Sequence, residues 1–154
     1  MSKKKAIFLD LDHTIIRPKS GEKFPKNHLD WEFIPGVLDQ IKLFVERGFL
    51  PAIVSNQGGI EKGYQTLMET NMKFMDITHQ MEEYIGIHVP FKFAPSMKGH
   101  DRKPNPGMVE KFTSEYGFDV RQSVMVGDMD ADEGLAKNAG IGLFIHIDKF
   151  LKVK

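Results

Sequence analysis

The sequence predicts a doubly wound α/β domain with a mainly parallel five-stranded sheet. Short apolar runs without polar alternation, the pattern of strands buried on both faces, alternate with stretches of helical period. Polar clusters sit at the ends of those runs, where open sheets of this kind bind their ligands. At 154 residues the chain suits one domain, residues 1–154, with a core large enough to need no staples.

The first run is Ala6 to Leu9, which stops at Asp10, Leu11 and Asp12. From Ile15 to Asp30 the chain is rich in Lys, Pro, Gly and Asn without a period, an excursion beyond the first strand's end. Trp31, Phe33 and Ile34 restore apolar weight. Pro35-Gly36 then opens a helix with the stripe Val37, Leu38, Ile41, Phe44 and Val45, closed by Gly48. Leu50 to Val54 is the second strand and leads into Ser55-Asn56-Gln57-Gly58-Gly59. A long helix is expected from about Ile60 to Tyr84. Its core stripe would be Tyr64, Leu67, Met68, Met75, Thr78, Met81 and Ile85, with methionine as gap-filler. His88 to Ala94 alternates in part, which places it nearer an edge, and breakers make Pro95 to Pro106 a loop. A helix over Met108 to Tyr116, a strand over Ser123 to Val126, a helix over Asp130 to Asn138 and a strand over Leu143 to Ile147 complete the alternation.

Composition narrows the function. Hydrophobic residues make up 41% and charged residues 27%, both ordinary for a globular protein. No apolar run approaches the roughly 18 residues of a membrane span. The basic start at Lys3, Lys4 and Lys5 is followed by only four apolar residues and then acid, which is not a signal peptide. A cytoplasmic location is the expectation. Without cysteine there are no disulfides and no thiolate metal sites. Basic and acidic residues both number 21, so there is no global field to attract nucleic acid. Positive charge is local: residues 1–26 hold seven Lys or Arg against three acids.

Four clusters converge at the strand ends. Asp10 and Asp12, two apart on an extended chain, leave the backbone on one side and repel each other. A cation between them removes the repulsion, and Mg²⁺ favours one or two carboxylates together with phosphate oxygens. Ser55 precedes a Gly-containing turn, either an anion nest or simply a good turn. Lys103, stiffened by Pro104 and Pro106, can neutralise charge that develops on an anion. In Gly127-Asp128-Met129-Asp130-Ala131-Asp132, acid at a strand end again suits Mg²⁺. Asp132, one helical turn on, would hold the metal's waters or Lys103, and Asp130 is expected to cap the helix.

Taken together and in this order, Asp10-x-Asp12-x-Thr14, Ser55, Lys103 and Gly127-Asp128 with Asp132 resemble the four motifs of the haloacid dehalogenase-like phosphatases. The resemblance covers nearly the whole chain. It implies a Rossmann-like fold without a large cap domain and a Mg²⁺-dependent phosphotransferase. Asp10 would be the nucleophile, forming an aspartyl-phosphate. Asp12 would protonate the leaving alkoxide and then activate water. Ser55 and Lys103 would hold the transferring phosphoryl group, with Thr14, Arg17 and Asn56 joining them in substrate binding. Asp10, Asp12 through its carbonyl, and Asp128 would bind Mg²⁺, with Asp132 behind them. His13 stands where the family usually has glycine.

Two branches of that superfamily compete. Ser55 to Ile60 and Pro104 to Met108 resemble the small sugar-phosphate and histidinol-phosphate phosphatases, many of which carry a cysteine-rich zinc loop absent here. The polynucleotide 3′-phosphatases have a basic, Gly-containing loop after the first motif, then Phe-Pro, Asp-Trp and a proline-started helix. Arg17 to Lys26, Phe24-Pro25, Asp30-Trp31 and Pro35 match that order. The expectation is therefore a 3′-phosphatase of nucleic-acid ends, with the basic loop over the active-site mouth. A small phosphate ester is the alternative, and a non-catalytic phosphoreceiver a third reading. No partner protein is implied.

Overall fold

A computed structural model describes residues 3–154. Strand β1 (Lys5–Leu9), whose unbroken apolar run predicts burial on both faces, lies at the centre of a five-stranded sheet. Two further strands, β2 (Ile16–Arg17) and β3 (Glu32–Phe33), form a small antiparallel sheet of their own. They fasten the two ends of the excursion together, which the lack of period had hidden. Helix α1 (Val37–Glu46) leads to β4 (Phe49–Asn56), and α2 (Leu67–Ile85) leads to β5 (Phe91–Ala94). Helix α3 (Gly107–Tyr116), β6 (Val124–Gly127), α4 (Asp130–Ala139), β7 (Leu143–His146) and a terminal turn of helix, α5 (Ile147–Phe150), follow.

The large sheet runs β5-β4-β1-β6-β7, and every neighbouring pair in it is parallel. The strand order reverses at β1, which sends β4 to one side and β6 to the other. Such a switch point opens a crevice beyond the carboxyl ends. Asp10, Asn56 and Asp128 all sit at or just past those ends. No separate cap layer is present among the described residues, and none of their helices is long and apolar enough to cross a membrane.

Alternation along β1 divides the core in two. Ile7 and Leu9 face α1, α2 and α5, packing with Ile41, Phe74, Ile77 and Phe150. Ala6 and Phe8 face α3 and α4, packing with Met108, Phe112 and Leu135. Ala6, Ile7, Phe8 and Leu9 have no exposed surface. Burying a Phe or Leu side chain stabilises by about 1.5–3 kcal/mol, so the strand that carries the first aspartate is anchored from both faces.

Helix α2 departs from its sequence reading. It starts at Leu67, capped by Thr66, whose hydroxyl accepts from the Glu69 N–H at 3.0 Å, while residues 57–63 are turns. Its buried residues are Thr70, Phe74, Ile77, Thr78, Met81 and Ile85. Tyr64, Leu67, Met68 and Met75, assigned to the core stripe, are exposed instead. Asp130 is the first residue inside α4 rather than its cap, which is Met129.

Candidate active site

Lys103 is the hub of the site. Its ammonium is buried and donates to Asp10 Oδ1 at 2.8 Å, Asp132 Oδ1 at 2.6 Å and the Val54 carbonyl at 2.9 Å. Burial alone would lower its pKa, but the charges of Asp10 and Asp132 outweigh that and hold it above the ordinary lysine value. The backbone of Lys103 is fixed by Asn56. The Asn56 amide donates to the Lys103 carbonyl at 3.0 Å, and its oxygen accepts the Lys103 N–H at 2.9 Å. Asn56 thus lines the cleft, yet both ends of its side chain position the lysine rather than meet a substrate.

Asp132 resolves the choice left by the sequence: it holds Lys103. Its other oxygen accepts from the N–H groups of Asp128 and Met129 at 3.2 and 3.1 Å, so one carboxylate ties the end of β6, the start of α4 and the lysine together. A Cβ at Gly127 would collide with this carboxylate, which accounts for glycine there.

Asp10, Asp128 and Asp132 each offer an oxygen within 4.8 Å of the others. Only two of them, Asp10 and Asp132, meet the Lys103 ammonium. Burial first, and then the charge of Asp10, push Asp128 up to about 7. One oxygen of Asp128, Oδ1, is buried without a hydrogen-bond partner. A buried acceptor left unpaired costs about 1–3 kcal/mol. A hard divalent cation satisfies both features, since it takes oxygen ligands and cancels the like-charge repulsion. Asp12 lies outside this trio, so a contribution to the metal would have to come through its carbonyl.

The Asp12 carboxylate is held by a residue that sequence reasoning passed over. Gln57 is buried, and its amide nitrogen donates to Asp12 Oδ2 and to Ser55 Oγ, both at 2.9 Å. Its oxygen accepts from Gln65 at 3.0 Å, and Gln65 also donates to Thr70 Oγ at 2.7 Å. The signal was a glutamine two places after the strand-end serine, read only as part of a turn. Ser55 itself is closed to solvent. Thr14 does not reach the cleft as expected of a substrate contact: it is fully buried and its hydroxyl has no partner. Its place is in the turn, where its N–H donates to the Leu11 carbonyl at 3.3 Å.

A cleft of about 890 Å³ opens over Asp12. The excursion forms one wall through Arg17, Phe24, Pro25, Lys26 and His28, and Gly58 to Lys73 with Arg102 form the other. Asp30 holds the excursion in shape, accepting from the Lys26 N–H at 2.8 Å and from the Ser20 N–H and hydroxyl at 2.8 and 2.7 Å. Those bonds, the Lys26 N–H foremost, hold its carboxyl down at about 2. Arg17 lines the cleft, but its Nε is tied to Glu32 at 2.8 Å. His13 also lines it, at a φ of 61°, the left-handed region a glycine would occupy freely. A residue with a Cβ thus holds a backbone conformation that glycine adopts without strain.

The family model described as polynucleotide kinase 3 phosphatase matches residues 5–145. The chain belongs to that family. It is a phosphatase of the haloacid dehalogenase-like superfamily. Among this phosphatase's relatives, the D-glycero-alpha-D-manno-heptose-1,7-bisphosphate 7-phosphatase of Campylobacter jejuni is 30% identical over 151 residues, 96% of this chain and 84% of that protein. The D-glycero-beta-D-manno-heptose-1,7-bisphosphate 7-phosphatase of Helicobacter pylori is 30% identical over 149 residues, 92% and 82% of the two chains. In fold it is similar to the D,D-heptose 1,7-bisphosphate phosphatase of B. bronchiseptica, described as complexed with magnesium and phosphate. The TM-score is 0.76 at 24% identity, over 90% of this chain and 78% of that one.

Proposed function

We propose that this phosphatase is a Mg²⁺-dependent phosphomonoesterase acting on a small phosphorylated sugar through an aspartyl-phosphate on Asp10. The observation that carries the substrate class is the cleft. Its volume of about 890 Å³ falls in the range of roughly 300–1,000 Å³ typical of small-molecule sites, and the Asp30-held excursion walls it on one side. The relatives named above favour the same reading over the polynucleotide ends that the basic loop suggested.

Asp10 attacks phosphorus as the ester P–O bond breaks, and the leaving alkoxide takes its proton from Asp12. Water then attacks the phosphorus of the aspartyl-phosphate and gives its proton to Asp12, releasing phosphate and restoring Asp10. Gln57 holds Asp12 in place for both transfers. Lys103 orients Asp10 and balances its charge. Asp10, Asp128 and the Asp12 carbonyl would hold Mg²⁺, which supplies shielding of the nucleophile from the phosphate dianion.

Metal binding should carry a pH signature. Below about 7 Asp128 holds a proton that Mg²⁺ must displace, so Mg²⁺ affinity should climb as pH rises towards 7 and then level off. Without metal, Asp128 sits above its ordinary 3.8, so the folded state binds the extra proton between those values. Stability of the metal-free protein should then fall as pH rises through that window, and Mg²⁺ should restore it. Calorimetric titrations at several pH values check the first part and thermal melts with EDTA or Mg²⁺ the second. A pH-independent affinity would contradict this ligand set.

Gln57→Leu removes the bond to a charged acceptor, a contact worth about 1.5–3 kcal/mol. A fall in kcat of roughly ten- to a hundredfold is expected, together with a shifted limb of the pH–rate profile. An unchanged profile would limit Gln57 to packing.

A polynucleotide reading survives because the family model carries that description. A panel of sugar phosphates, 3′-phosphorylated oligonucleotides and 5′-phosphorylated oligonucleotides separates the two. Higher kcat/KM on sugar phosphates is expected, and a preference for 3′-phosphorylated oligonucleotides would overturn the small-molecule reading.

A further inference from the structure

A directed chain of hydrogen bonds runs from the start of α2 to Asp12, and each link fixes the sense of the next. The buried Thr70 hydroxyl donates to the Thr66 carbonyl at 2.8 Å, one helical turn back. With its one hydrogen committed there, its oxygen faces Gln65 as an acceptor and takes an N–H of the Gln65 amide at 2.7 Å. The same amide nitrogen donates to Gln57 Oε1 at 3.0 Å. Gln57 is thereby left with its own nitrogen on the far side, where its two N–H groups meet Asp12 Oδ2 and Ser55 Oγ at 2.9 Å each.

The sense of this chain matters because a glutamine amide has two ends of nearly the same shape and opposite hydrogen-bonding character. Turned over, Gln57 would set a carbonyl oxygen against the Asp12 carboxylate. Its backbone does not prevent that, since the Gln57 N–H donates to the Ala94 carbonyl at 2.8 Å whichever way the amide points. Only the Gln65 N–H on Oε1 distinguishes the two ends. The chain also leaves space for that link. A Cβ at Gly59 would lie 2.9 Å from Gln65 Oε1, and Gly59 is not among the glycines of positive φ, so what its lack of a side chain supplies is room for the Gln65 amide.

We propose that Gln65 is a positioning residue for the reaction: it fixes the sense of the Gln57 amide, so that Asp12 always meets an N–H at Oδ2 and carries its proton on Oδ1. The inference rests on Asp12 as the proton carrier of the proposed mechanism, and it assigns the device that aims this carboxyl. It also ties the α2 wall of the cleft to the acid, through Thr70 and Gln65.

Gln65→Leu removes the link, whereas Gln65→Glu reverses it, because a carboxylate accepts from Gln57 and turns the Gln57 oxygen towards Asp12. A fall in kcat of roughly two- to tenfold is expected for Gln65→Leu, with KM little changed, from the loss of one neutral hydrogen bond. Gln65→Glu should fall further, by roughly ten- to a hundredfold, to the level of Gln57→Leu. In a Gln57→Leu background neither change should lower kcat again, since the partner through which Gln65 acts is gone. Thr70→Val, which removes the anchor, should lower kcat as Gln65→Leu does, and Thr70→Ser should keep it. Nitrogen-15-edited NMR reads the amide without turnover: the Gln57 side-chain N–H protons should show nuclear Overhauser contacts to the Ser55 β protons in wild type and lose them in Gln65→Glu. Retention of those contacts in folded Gln65→Glu, or an equal fall in kcat in the Gln57→Leu background, overturns the proposal. Lost contacts with kcat unaltered would leave the fixed amide standing and overturn instead Asp12 as the proton carrier.

Discussion

Asp10→Asn should abolish turnover while leaving a folded protein at least as stable as the wild type without metal. The amide cannot displace an alkoxide from phosphorus, yet it is nearly isosteric and its oxygen still accepts the Lys103 ammonium, now at 2.8 Å from Oδ1. Removing one charge also relieves Asp128, whose raised pKa owes more to Asp10 than to Asp132. Phosphate monoesters hydrolyse so slowly unaided that enzymes accelerate them by up to ~10²¹-fold, so no background reaction masks the loss. Activity assays beside thermal melts check both halves. A folded variant with near-normal activity would exclude Asp10 as nucleophile.

Lys103→Met should cost both stability and activity. Methionine fills the lysine's space, but Asp10 and Asp132 lose their shared cation inside the protein. Breaking a buried pair by removing one partner costs about 3–5 kcal/mol. At this size each kcal/mol is worth about 2–4 °C in melting temperature, so a drop of roughly 6–20 °C follows. The loss should shrink at low pH, where the stranded carboxyls take up protons. Mg²⁺ should recover part of the stability but little of the turnover, because Asp10 and Asp132 are no longer tied together. An unchanged melting temperature would mean that the lysine does not hold these carboxylates in solution.

The sheet was legible because parallel strands buried on both faces must be apolar throughout, and Ala6 to Leu9 or Leu50 to Val54 admit few other readings. The acid-lysine centre was legible for a related reason: a globular core does not bring charge to a strand end without use. Helix α2 was misread because apolar character was equated with burial. Thr70, left out of the stripe, lies inside and bonds its hydroxyl to the Thr66 carbonyl at 2.8 Å, while Met68 and Met75 lie outside. Gln57 and Asn56 were missed as positioning residues because their work depends on what stands across the fold. Asn56 meets Lys103 and Gln57 meets Asp12, 47 and 45 residues away in sequence. Thr14 erred in the opposite sense, since a motif position says nothing about which way a side chain turns. Helix α5 is a single turn, too short to leave a period, yet Phe150 is fully buried against Phe44 at 5.1 Å between ring centroids.

The covalent intermediate is the centre of this account, and rapid acid quench during turnover measures it directly. With a ³²P-labelled phosphate ester that the enzyme hydrolyses, in the presence of Mg²⁺, label should appear on the protein within the first turnover. After digestion it should be found on the peptide containing Asp10, be labile to hydroxylamine as an acyl phosphate is, and be absent from Asp10→Asn. Sustained hydrolysis with no protein-bound phosphate, in a quench fast enough to resolve a single turnover, or label on any other residue, would contradict the mechanism.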